Sequence, residues 1–301
     1  MPERFAVLCG GLGGSRFVDA LARAAGAEAV TAIGNVGDDV EVLGLHVSPD
    51  LDTVLYTLAG LLDEARGWGV RDETYNALAT AGALGAETWF TLGDRDVGLH
   101  LVRTELLRAG QPLSAVFARL AERLRVRVGL LPATDDRLRT RVTTPTGERG
   151  FQEWFVRERH AEKVVGVRYE GAEQARPAPG VLEAIAAADV VFVAPSNPFV
   201  SIGPILAVPG IRPALAGKRV AAVSPLVGGR ALRGPLPAML ASLGHEPSAA
   251  GVRELYGELV TDFLVDSADA GITGATVSPI VMVDPETRAD VGRAVLEALR
   301  R

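Results

Sequence analysis

Phe5-Ala-Val-Leu-Cys9, then Gly10-Gly-Leu-Gly-Gly-Ser-Arg16, then Phe17 to Ala25, is the stretch that decides the fold. Five apolar residues in a row, without polar alternation, read as a strand buried on both faces. The glycines end it at once, and the residues from Phe17 carry helical spacing. Ala29-Val-Thr-Ala-Ile33, Asp189-Val-Val-Phe-Val-Ala194 and Arg219-Val-Ala-Ala-Val-Ser224 repeat the buried-strand pattern, each running into a loop of Pro, Ser, Asn or Gly. Apolar strands alternating with helices predict a parallel sheet covered on both faces. In such α/β sheets ligands sit beyond the carboxyl ends of the strands, so the loops after these strands are where chemistry is expected.

Residues 51–125 read differently. Leu51 to Ala65, Glu73 to Gly85, Val97 to Ala109 and Leu113 to Arg125 have helical spacing with few strand signals between them. They predict a mostly helical insertion, residues 51–125, over a nucleotide-binding core of residues 1–50 and 126–301. Arg137 to Thr144 followed by Pro145-Thr-Gly147 predicts a hairpin arm.

Composition narrows the class. The chain has 301 residues, 48% hydrophobic and 23% charged, with a net charge of −6. A negative total argues against general nucleic-acid binding, which needs a basic footprint, but leaves room for a small anion held by a local cluster. Cys9 is the single cysteine, so no internal disulfide forms, and a reducing cytoplasm is the expected compartment. No apolar stretch reaches the length of a membrane span. There is no G-x-S-x-G elbow, no H-E-x-x-H and no cysteine pair for zinc.

The glycine loop joins the first strand to the first helix. Glycines let backbone approach an anion closely, and a helix N-terminus adds free N–H groups and a positive dipole end. Gly10, Gly11, Gly13 and Gly14 are the candidate cradle, with Arg16 as a charged fork for phosphate. Gly11 and Gly13 begin a dinucleotide fingerprint, but Arg16 stands at its third glycine. No Gly-Lys-Ser/Thr closes a Walker loop. A tight turn without ligand is the plainer alternative.

Asp38, Asp39, Asp50 and Asp52 lie on the loops after the second strand, in Gly34-Asn-Val-Gly-Asp-Asp39 and Ser48-Pro-Asp-Leu-Asp-Thr53. They offer oxygen ligands to a hard cation such as Mg²⁺, which takes one or two carboxylates plus phosphate oxygens and water. Helix capping by Asp50 or Asp52 is the alternative. Asp94, Arg95, Asp96, His100 and Arg103 form a dense charged run, with a solvated helix face as its ordinary explanation. Ser196, Asn197 and Ser201 offer neutral groups for a base or ribose, and Arg230 and Arg233 offer charge for phosphates. Turn punctuation accounts for the same loops.

In order along the chain, GGLGGSRF, GNVGDD, SPDLDT, WFTLGDRDVGLH, FQEWFV, APSNPFVSIGPIL and SPLVGGRALRG resemble the 2-phospho-L-lactate transferase family of coenzyme F420 biosynthesis. The likeness runs from Phe5 to about Leu264 and favours its actinobacterial branch, the phosphoenolpyruvate transferases. The resemblance implies a Rossmann-like fold with a helical subdomain, Mg²⁺ and a homodimer. It implies transfer of a phosphoenolpyruvyl or 2-phospho-L-lactyl group from a guanosine diphosphate adduct to the deazaflavin Fo, releasing GMP. By position, Asp38 and Asp52 would bind metal, and Asp50 and Arg95 would lie near Fo. Gly10 to Gly14, Ser196, Asn197 and Arg230 would hold the guanosine donor. Asp38, Asp50 and Asp52 are then the catalytic candidates, one of them orienting the Fo hydroxyl. Trp89 or Trp154 would stack on the deazaflavin, unless they serve the core. The other classes weighed are a non-catalytic regulator binding a nucleotide sugar and an NAD-dependent oxidoreductase. The first should lack WFTLGDRD and FQEWFV, and the second needs the missing third glycine.

Overall fold

A computed structural model describes residues 3–300 of the chain; positions 1, 2 and 301 of the expected core lie outside them. Seven strands form the central sheet: β1 (Phe5–Cys9), β2 (Val30–Gly34), β3 (Gly129–Pro132), β4 (Val190–Val193), β5 (Val220–Val223), β6 (Asp262–Val265) and β7 (Ala275–Val277). Their order is β7-β6-β5-β4-β1-β2-β3, and every neighbouring pair is parallel. β1, β4 and β5 are buried at every position, as their unbroken apolar runs require.

This order contains a switch point. The chain builds outward from β1 through β2 and β3 on one side, then returns to lay β4 on the other. Connections on the two sides diverge there, opening a crevice at the carboxyl ends. Register aligns the loops that border it: Cys9 is opposite Gly34, and Leu8 is opposite both Ile33 and Val193. Asn35 N–H donates to the Cys9 carbonyl, and Ala194 N–H to the Leu8 carbonyl, each at 3.0 Å. The loops after β1, β2 and β4 therefore leave the sheet side by side.

Helix α1 (Gly11–Ala25) starts immediately beyond β1 and buries Phe17, Val18, Ala20 and Leu21. Phe17 meets Phe192 of β4 edge-on, centroids 5.3 Å apart, a geometry worth about 0.5–1.5 kcal/mol beyond the area it buries. Between β2 and β3 lie α2 (Pro49–Leu58), α3 (Asn76–Ala83), α4 (Asp94–Arg108) and α5 (Leu113–Arg123). Leu51, Val54 and Leu55 of α2 and Val116 and Phe117 of α5 join the same apolar core as the sheet. Helix α3 buries none of its residues. A two-stranded hairpin, Val40–Val42 with Leu45–Val47, precedes α2; three-residue strands are too short to show a period in sequence.

Arg139–Thr144 pairs antiparallel with Gly147–Gly150, as the hairpin reading expects, and also with Gly166–Glu170. This arm has its own core of Val142, Phe151, Trp154 and Val164, closed by Val200 and Met239. Among the described residues no helix is long and apolar enough to cross a membrane.

Candidate active site

Asp38 and Asp50 come together at the carboxyl end of β2, both buried. Asn35, fully buried one residue beyond the strand, joins them. Its Nδ2 lies 2.9 Å from Asp38 Oδ1, 2.9 Å from Asp50 Oδ2 and 3.0 Å from the Val200 carbonyl. Its Oδ1 accepts from Gly37 N–H, which fixes the amide's orientation. Gln152 of the arm donates to Asp38 Oδ2 at 3.0 Å, and Gly11 N–H donates to Asp50 Oδ1 at 2.7 Å. Both carboxyls hold their protons more tightly than usual. Burial is the main cause for Asp38, followed by the nearby charges of Asp50 and Asp39. Burial pushes Asp50 up to about 6, against the pull of its hydrogen bonds from Asn35, Gly11 and Ser201. Two desolvated carboxylates facing each other is the electrostatic setting that a cation relieves.

Asp52 has a different partner. Its oxygens receive both Arg103 Nη1, at 2.9 Å, and Arg103 Nη2, and Ser48 N–H donates to it at 3.1 Å. Arg103 is fully buried and lies over the Phe117 ring, 4.8 Å from its centroid. So the structure brings Asp50, rather than Asp52, to Asp38. Ser48 links the two groups, its hydroxyl donating to Asp39 Oδ2 at 3.1 Å. Burial pushes Asp39 up to about 8, moderated by Arg139 and Arg103, and its Oδ1 is buried without a partner. Burial also lowers His46 and His100 to about 4, so both are neutral.

The charged run after Gly93 is not solvated throughout. Asp96, His100, Arg103 and Thr104, spaced along one face of α4, are buried and turn toward this second cluster. Asp94 instead receives Thr74 and the backbone amides of Asn76 and Ala77, tying down the start of α3. Arg95 is exposed and donates to the Arg71 carbonyl at 3.0 Å. Trp154 is a core residue, its Nε1 donating to the Glu162 carbonyl at 2.9 Å, while Trp89 is partly exposed beside Phe90.

Around the glycine loop, steric need comes chiefly from neighbouring protein. A Cβ on Gly10 would strike the Asp50 carboxylate, one on Gly13 the Pro195 carbonyl oxygen, and one on Gly14 would lie 2.7 Å from Ser196 Oγ. Gly11 alone needs glycine for its backbone, at φ +63°. Ser196 staples the β1 and β4 loops: its hydroxyl donates to the Gly10 carbonyl at 2.8 Å and accepts Gly10 N–H at 3.2 Å. Asn197 caps the following turn by accepting from Phe199 N–H at 2.9 Å. Arg16 pairs with Glu64 at 2.9 Å, and Glu64 also takes the buried Arg288. Gly10 and Gly11 amides are thus engaged, whereas Leu12 and Gly13 N–H stand in the first turn of α1, where no intrahelical acceptor exists. The Arg233 guanidinium lies over Gly67, in the space that also borders Leu12. Arg230 is exposed on the short hairpin with Val227.

Asn35 and Gln152 are the site residues that sequence reasoning passed over. Both sit inside quoted motifs, GNVGDD and FQEWFV, yet a lone carboxamide carries no signal until its carboxylate partner is known.

The fold and this site define a Rossmann-like α/β enzyme with buried carboxylates at its switch point. Residues 5–298 match the family described as 2-phospho-L-lactate transferase CofD. The chain is 47% identical to a phosphoenolpyruvate transferase of Streptomyces griseus, with 98% of each chain covered. It is also 47% identical to the protein of that name in Thermobifida fusca, covering 98% of this chain and 97% of that one. Among solved structures, protein BH3568 of Bacillus halodurans shares the fold at a TM-score of 0.58 and 20% identity, over 88% of this chain and 80% of that one. The chain belongs to the 2-phospho-L-lactate transferase CofD family and is a transferase of coenzyme F420 biosynthesis.

Proposed function

We propose that the chain transfers a phosphoenolpyruvyl group from its guanosine diphosphate adduct to a hydroxyl of the deazaflavin Fo, releasing GMP. The observation that carries this reading is the buried Asp38–Asp50 pair beside the first turn of α1. In this reaction the Fo hydroxyl oxygen bonds to the phosphorus bearing the acid. The bond from that phosphorus to the oxygen of GMP breaks, and the hydroxyl proton passes to the released GMP phosphate or to solvent. Such transfer asks the protein for positioning and for neutralised phosphate charge, and for little covalent chemistry.

The donor set fits Mg²⁺. Among the described residues no three acidic or imidazole groups converge on one point. Two carboxylates suffice for a cation that completes its shell with phosphate oxygens and water. Asp38 and Asp50 would hold it; Asp52 is already neutralised by Arg103. Bound there, the cation would lower the charge on the diphosphate. The Leu12 and Gly13 amides and the α1 dipole suit phosphate oxygens, with Arg233 within reach of the same turn. Asp50, held beside the first turn of α1 by the Gly11 amide, suits the role of orienting the Fo hydroxyl.

Phosphoenolpyruvate is preferred to 2-phospho-L-lactate because relatives at 47% identity carry that name. The two acids present the same charges, so discrimination rests on the shape of an apolar wall, typically worth ~1–3 kcal/mol. The test offers both guanosine adducts at equal concentration with Fo and Mg²⁺, following GMP and weighing the products. GMP release with the dehydro product is expected. A product two hydrogens heavier overturns the choice of acid, and absence of GMP overturns the transfer itself. We also place the chain in the cytoplasm, following its single cysteine, and as a homodimer, following the family resemblance; sedimentation at the monomer mass would refute the dimer.

A further inference from the structure

Two aspartates of this site have opposite kinds of partner. Asp52 is met by a guanidinium, which cancels its charge. Asp38 is met by two carboxamides, Asn35 at Oδ1 and Gln152 at Oδ2. A carboxamide fixes the direction of a carboxylate while leaving its charge intact. Each Asp38 oxygen takes one amide donor and keeps a second lone pair, whereas Asp52 Oδ2 takes both Arg103 Nη1 and the Ser48 amide and the charge of Asp52 is already cancelled.

Asn35 is supplied locally, by the end of β2. Gln152 is supplied from far along the chain, by the arm, and its position is set on both sides. Phe151 and Trp154 are buried in the arm's core, where they pack with Val200 and Met239. The Val200 carbonyl in turn receives Asn35 Nδ2. The arm's core, the β4 loop and the Asn35 amide thus close a ring around Asp38, with Gln152 as the arm's polar contact to it.

We propose that Gln152 is a positioning residue that makes divalent-cation binding at Asp38 and Asp50 depend on the docked arm. This rests on the cation reading given above. Residues that orient a metal ligand typically change metal affinity by ~10–100-fold when removed. The test uses Mn²⁺ alone as probe, titrated calorimetrically and by electron paramagnetic resonance into the full chain, with thermal unfolding in EDTA alongside. Gln152→Ala should weaken Mn²⁺ binding by ~10–100-fold and lower the metal-free midpoint modestly, since a buried carboxylate loses a hydrogen bond. Gln152→Lys, which places an ammonium where the amide was, should abolish Mn²⁺ binding while its metal-free midpoint stays at or above wild type. Loss of binding without loss of stability is an outcome that a merely structural Gln152 would not produce. Wild-type Mn²⁺ affinity in both variants overturns the role of Gln152 alone. Failure of the wild-type chain to bind Mn²⁺ overturns the cation reading together with it.

Discussion

Replacing Arg103 by Met tests what Asp52 is for. The guanidinium is fully buried, donates to both Asp52 oxygens and covers the Phe117 ring. Its removal leaves a buried carboxylate with the Ser48 amide as its remaining hydrogen-bond donor. Breaking a buried pair from one side costs about 3–5 kcal/mol, because the other charge stays desolvated and uncompensated. A chain of 301 residues unfolds with an entropy of roughly 2.1 cal/mol/K per residue, so 1 kcal/mol is about 1.6 °C in midpoint. Arg103→Met should therefore lower the midpoint by about 5–8 °C in EDTA. Asp52→Asn should cost a comparable amount by stranding the guanidinium. The double variant should recover much of the loss, since an uncharged pair of similar volume has no desolvated charge to compensate. Calorimetric unfolding of the four proteins, without metal or nucleotide, gives the coupling energy. If the double variant loses the sum of the two single losses, the pair is not an energetic unit. If Asp52→Asn unfolds like wild type yet loses Mg²⁺ dependence, Asp52 is a metal ligand and its pairing with Arg103 is incidental.

Asp38→Asn should abolish Mg²⁺-dependent turnover while raising the metal-free unfolding midpoint, because it removes one of two facing carboxylates; a fall in both would refute the repulsion argument. Gly13→Ala places a Cβ on the Pro195 carbonyl, so it should lower the unfolding midpoint with or without the guanosine donor. Wild-type stability with weakened donor binding would show that the glycine serves the ligand. Asp39, raised to about 8, keeps its proton in the folded state up to that pH but loses it above about 4 when unfolded. Folded protein then binds more protons than unfolded, and stability falls as pH rises. His46 and His100, neutral with values near 4, act in the opposite sense below their ordinary 6.5. Between pH 6.5 and 8 the metal-free chain should therefore lose stability, with a smaller slope in Asp39→Asn; equal slopes in midpoint against pH would sink this account.

Local pattern carried the architecture. The runs at Phe5–Cys9, Val190–Val193 and Val220–Val223 are apolar without alternation, and Val30–Gly34 is broken by Thr31 alone, because both faces of a central parallel strand are covered. Their loops announce themselves because glycine, proline and asparagine do not continue a strand. A strand and its neighbouring helix are thus written in adjacent residues. Partnership among charges is not. Asp50 and Asp52 share a helix turn and look interchangeable, yet one faces Asp38 through Asn35 and the other is taken by Arg103, 51 residues away. Gln152 reaches Asp38 from 114 residues away, and Arg16 is claimed by Glu64 before any phosphate arrives. The glycines of the first loop were legible as a close approach, but what approaches three of them is the protein's own Asp50, Pro195 and Ser196. Burial of an apolar face is a property of a segment and repeats with its period. Compensation of a buried charge depends on which distant side chain the closed chain delivers within hydrogen-bonding reach, and tertiary structure alone decides that.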